Sequence, residues 1–84
     1  MTRYLLMTTR TENFDNTYVP AHYDYLNRLK EENRLEMYGP FGDGSGGAYL
    51  IQADSFEEAQ KIGHSDPLIE SGASILVVKE WLTK

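Results

Sequence analysis

The chain has 84 residues, two histidines, thirteen carboxylates and no cysteine, so any acid–base chemistry falls to few groups. His22 lies in the stretch YVPAHYDYLNRL, residues 18–29, at helical spacing with Val19, Leu26 and Leu29. An imidazole on the inward stripe of a helix is a candidate general base or acid lining a pocket between helix and sheet. The competing role is structural, a core histidine bonded to backbone or to a neighbouring tyrosine. Asp66 is the candidate partner, because an aspartate beside a histidine fixes its tautomer and stabilises its charged form. Its local setting, Asp66-Pro67-Leu68-Ile69-Glu70 before Gly72, also describes the N-cap of a very short helix. The two roles are compatible. Spacing along the chain does not by itself bring Asp66 to His22.

Other groupings carry weaker chemistry. His64 and Asp66 have the spacing of a metal-ligand pair, but two residues without further clustered ligands do not make a site. Neither a metal nor an organic cofactor is expected. The glycine-rich segment GDGSGG, residues 42–47, lies between two strands, whereas a phosphate-cradling loop feeds a helix N-terminus. It reads as a flexible hairpin turn or a lid. Tyr4, Tyr18, Tyr25, Tyr38 and Tyr49 could supply hydroxyls to a pocket, although most tyrosines pack with an exposed tip. No nucleophile-elbow motif surrounds any serine. Tyr4, Tyr25, Gly39 and Pro40 are taken as the substrate-binding candidates.

These residues need elements to position them. RYLLMTT, residues 3–9, is a short apolar run whose length favours a strand. Asn16 or Thr17 can cap the helix that follows, with Pro20 in its first turn, and Asn33 can close it. Residues 34–53 read as a hairpin. Ser55-Phe56-Glu57-Glu58 is a capping-box signature for a second helix that places Phe56, Ala59 and Ile62 inward and ends at Gly63. ASILVVKEWL, residues 73–82, is the last strand. The order β-α-β-β-α-β is the ferredoxin-like α+β arrangement, an antiparallel sheet with two helices on one face.

Both parities of the first and last strands are apolar, so both faces of the sheet should be covered, although helices can cover only one. A second copy is the expected cover, giving a homodimer packed sheet face to sheet face. Oligomerisation also suits a single domain of this size, whose own core is small. The net charge of −5, with acidic residues scattered, argues against nucleic-acid binding, which needs a basic stripe. No apolar run approaches the roughly 20 residues that span a bilayer. The N-terminal run is too short for a signal-peptide core. A soluble cytoplasmic protein is the expectation.

Across essentially its whole length the chain resembles the YciI-like (YCII-related) proteins. The matching residues are Tyr4-Leu5-Leu6, Pro20-Ala21-His22-Tyr23-Asp24-Tyr25-Leu26, Gly39-Pro40, Ser55-Phe56-Glu57-Glu58-Ala59, and Asp66-Pro67-Leu68 with Gly72. Gly39-Pro40-Phe41 is also similar to the DGPF branch, with Tyr38 where that branch has aspartate. The resemblance implies one domain over residues 1–84, a dimeric α+β barrel, and a histidine–aspartate active-site pair at His22 and Asp66. Its members include a chlorinated-hydroquinone dehydrochlorinase, and muconolactone isomerase shares the wider fold. Many members carry an arginine shortly before the helix histidine, where this chain has Tyr18 and Val19, a departure that implies a less charged ligand.

The leading expectation is therefore a small lyase- or isomerase-like enzyme. His22 would move a proton on a small cyclic or carbonyl compound while Asp66 holds its tautomer. The alternative is a non-catalytic dimeric module that binds a small ligand or another protein; a vestigial pocket is the third reading. The fold hosts all three.

Overall fold

A computed structural model describes residues 1–84. In chain order the elements are β1 (Thr2–Arg10), a single 3-10 turn (Asn16–Tyr18), α1 (Val19–Glu31), β2 (Leu35–Pro40), β3 (Gly46–Ala53), α2 (Phe56–His64), α3 (Pro67–Glu70) and β4 (Ser74–Glu80). The strands form one sheet in the order β2-β3-β1-β4, every neighbouring pair antiparallel. This is the ferredoxin-like α+β fold.

Period-two alternation in the strands decides which side chains meet the helices. Tyr4 and Leu6 of β1 face the same way as their register partners Ile51 and Tyr49 of β3. With Ala53 they pack against Leu26 and Leu29 of α1 and Ala59 of α2 to form the core. Burying a leucine of this kind contributes roughly 1.5–3 kcal/mol, so this patch orients α1 firmly. The opposite parity forms the other face, where Leu5 pairs with Leu50, Met7 with Val77, and Met37 with Leu50. No helix covers that face. Met37 is 62% exposed, Ile75 57% and Val77 43%.

Local details differ from the sequence expectations in instructive ways. Neither Asn16 nor Thr17 caps α1. Asp15 caps the preceding 3-10 turn, accepting from the Thr17 amide at 2.9 Å, and α1 begins without a side-chain cap. The extra turn absorbs the first unpaired amides. Asn33 does take the left-handed conformation after α1, with φ 61°. The Ser55 hydroxyl accepts from the Glu58 amide at 3.1 Å, whereas the Glu58 carboxylate reaches the amide of Asp54 rather than that of Ser55. That carboxylate also pairs with Arg34, and the guanidinium bond foremost holds it below the usual glutamate range.

Two glycines play roles other than those expected. Gly63 does not end α2; it is buried within the helix, and a Cβ there would sit 2.6 Å from a Leu76 methyl. Its small size lets α2 settle on β4. Gly46 and Gly47 are strand residues of β3 rather than turn, and a Cβ on Gly46 would lie 1.8 Å from the Thr8 carbonyl oxygen. The turn itself is short and bonded: the Asp43 carboxylate accepts from the Ser45 amide at 2.9 Å, and the Phe41 amide donates to the Gly46 carbonyl at 2.8 Å.

Candidate active site

Asp66 is the fixed point of the site. Extended backbone at Asp66, followed by Pro67 in the first turn, puts its carboxylate over the open amides of α3, and Oδ1 accepts from the Leu68 amide at 2.9 Å. Inward alternation along β3 places Tyr49 beside it, and the phenol donates to Oδ2 at 3.0 Å. His22, on the inward stripe of α1, brings Nδ1 to 2.9 Å from both oxygens. Three elements thus converge on one carboxylate that has no exposure to solvent. A buried carboxylate needs its lone pairs filled, and three donors supply that.

The same arrangement sets the tautomer of His22. Asp66 accepts from every partner, so the role left to Nδ1 is donor, and Nε2 is the free acceptor. Nε2 makes no bond within the chain, and the His22 side chain, 13% exposed, lines a cleft. The rings of Tyr23 and Tyr49 flank the imidazole, their centroids 5.1 and 6.1 Å from its own. Burial foremost, then the charge of Asp66 and the hydrogen bond to it, push the Tyr49 phenol far above its usual range. Tyr49 therefore remains a donor across the working pH range.

The cleft encloses about 60 Å³, room for roughly four to six water-sized spheres or one small ring. Tyr38, Gly39 and Pro40 of β2 line the cleft together with His22. Tyr4 and Tyr25, taken from sequence as substrate-binding candidates, stand elsewhere. Tyr4 is packed into the core with its ring edge against Phe56. The Tyr25 hydroxyl donates to the Ile62 carbonyl at 2.7 Å, and burial foremost, then the charge of Asp66, raise its pKa. Both hydroxyl-bearing rings face the sheet or α2 because the helical and strand periods put them there. His64 is exposed and makes no bond to Asp66, whose oxygens are committed to His22, Tyr49 and Leu68. Tyr49, named from sequence only among the tyrosines that could lend a hydroxyl, is the residue whose role as donor to Asp66 the sequence did not single out; its further signal was an inward parity shared with Ile51.

Comparison with known proteins agrees with this architecture at two levels. A solved structure, the 5-chloro-2-hydroxyhydroquinone dehydrochlorinase (TftG) of Burkholderia phenoliruptrix AC1100 in complex with 2,5-dihydroxybenzoquinone, superposes with a TM-score of 0.75 over 98% of this chain and 95% of that one. At 16% identity that likeness defines the fold alone, the ferredoxin-like α+β type. The model of the YCII-related domain matches residues 2–82, and the chain belongs to that family. The uncharacterized protein YjpA of Bacillus subtilis (strain 168) is 56% identical over 84 residues, covering 100% of this chain and 99% of that protein.

Proposed function

We propose that this chain is a cofactor-independent enzyme of lyase or isomerase type that moves a proton on a small cyclic or carbonyl compound. The observation that carries the proposal is the clamp on His22: Nδ1 held by a fully buried Asp66, and Nε2 free at a cleft. Nε2 takes a proton from a carbon next to a carbonyl. The electron pair left behind forms an enolate, which either regains the proton at a second position or expels a leaving group. Asp66 stabilises the imidazolium through the bond already in place, so little rearrangement accompanies the step. The name of the structural neighbour, a dehydrochlorinase acting on a hydroquinone, supports placing such chemistry on this fold. Similarity at 16% identity does not carry its substrate across.

The working unit is proposed to be a cytoplasmic homodimer joined through the uncovered sheet face. Support comes from the apolar parity on that face, where Leu5, Met7, Leu50, Ile75 and Val77 share one surface. A contiguous exposed apolar patch of this kind marks an interaction surface.

The test is proton exchange from carbon in heavy water, followed by NMR across a panel of small quinols, lactones and keto acids. Once a turned-over compound is found, His22→Ala should cut its rate by about 10²–10⁴-fold, the usual worth of a positioned general base. Equal turnover by His22→Ala would end the assignment.

A further inference from the structure

The far end of the cleft holds groups that proton transfer at His22 does not use. Arg10, the last residue of β1, and Ser74, the first of β4, are direct cross-strand partners, so both side chains project from the helix-covered face. Both line the cleft. Ser74 is 3% exposed, and its Oγ is the one buried side-chain polar atom without a hydrogen-bond partner. A buried hydroxyl left unpaired is costly and calls for an explanation, of which a ligand that completes it is one. Thr8, next along the same face, already exchanges bonds with the backbone of Gly47 at 3.2 and 3.3 Å. Arg10 makes no ion pair, and its guanidinium rests 4.1 Å above the centre of the Phe14 ring. That stacking holds the charge at the cleft mouth while leaving its N–H edge free to donate.

Apart from the buried Asp66 behind His22 and Tyr49, the charge balance at the cleft wall is opposite to that of the protein. The chain carries thirteen carboxylates against eight lysines and arginines. Yet no carboxylate lines the cleft, and Arg10 is its one cation. Val19 lines the same wall with an aliphatic side chain. The charge is supplied from the strand end instead.

We propose that Arg10 and Ser74 form an anion subsite, so that the ligand is a small ring or carbonyl compound bearing an ionised oxygen, either a carboxylate or a phenolate or enolate. The guanidinium and the Ser74 hydroxyl donate to that oxygen while the reacting carbon faces Nε2 of His22. The assignment of a reacting carbon rests on the proton-transfer reading above; the preference for an anion does not. It replaces the expectation of a less charged ligand.

The test compares charged and neutral probes by NMR titration: benzoate against benzamide for a carboxylate, and ionised 4-nitrophenol against nitrobenzene for a phenolate. At least one anion should bind about tenfold more tightly than its neutral partner, as a charge-assisted contact implies, and the pair that discriminates identifies the source of the oxygen. Arg10→Gln should bring that pair to parity, and Arg10→Lys should recover part of the difference. Ser74→Ala should weaken the anion without lowering the melting temperature, because it removes an unpaired hydroxyl; a structural serine would show the reverse. His22→Ala, measured alongside, should keep the anion preference whether or not His22 moves protons. Parity of both pairs in the unaltered protein, absence of binding by all four probes, or a preference that survives Arg10→Gln would each overturn the subsite.

Discussion

Asp66 must satisfy two oxygens without water, and it does so with donors from β3, α1 and its own helix. Removing one donor from such a carboxylate costs about 1.5–3 kcal/mol, so Tyr49→Phe should lower stability by that amount in a denaturant titration. It should also change the alkaline limit. The Tyr49 pKa is raised in the folded protein from its ordinary 10.0, so the folded state keeps a proton that the unfolded chain gives up. Stability is complete below pH 10 and declines as pH rises beyond it. Tyr49→Phe should remove that share of the alkaline decline, which calorimetry across the pH range would reveal. At this scale the sequence was half legible. His22 and Asp66 could be singled out by stripe and by cap, but their 2.9 Å separation depends on how α3 docks against α1. The aim of a tyrosine tip depends on its neighbours in space, which is why Tyr4 and Tyr25 were placed at the site and Tyr49 was not.

The elements were more legible than their ends. Strand and helix periods identify every major element, and the Ser55 and Asp66 caps lie where the motif rules put them. What the residue types left open was how closely backbones approach. Gly63 looks like a helix stop because glycine usually is one, yet here it is chosen for contact with Leu76. Gly46 looks like turn material, yet it lies in β3 against the Thr8 carbonyl at the rim of the cleft. Gly46→Ala should therefore part β1 from β3 locally and cost about 1–3 kcal/mol or more, the range for overpacked sites. Hydrogen exchange should show faster loss of the amide protons of Arg10 and Phe41, which are bonded to Ser45 and Gly46. An unchanged pattern would mean that the strands can yield at no cost.

At the scale of the whole molecule, the sheet divides the chain into a face that builds a site and a face that builds none. Apolar residues on both parities announced this division, because a strand with one wet face alternates and these do not. Leu50 is only 5% exposed despite having no helix above it, since Leu5 and Met37 crowd around it. A charge placed in that patch should oppose association. Val77→Arg, opposite Met7 in the register, should shift sedimentation from dimer to monomer at low micromolar concentration. A stable monomer before substitution would contradict the proposed dimer directly.

The meeting of three elements at one carboxylate has a consequence for how this molecule ages and fails. His22 is oriented only while α1, α3 and β3 are all docked, so its Nδ1 proton belongs to a molecule that is intact at three places. Slackening of α1 or α3 would free the imidazole directly, and slackening of β3 would take away the Tyr49 donor that steadies Asp66. Loss of any one of these contacts would then show at the cleft, and the exchange rate of a single ring proton would report on the docking of all three elements.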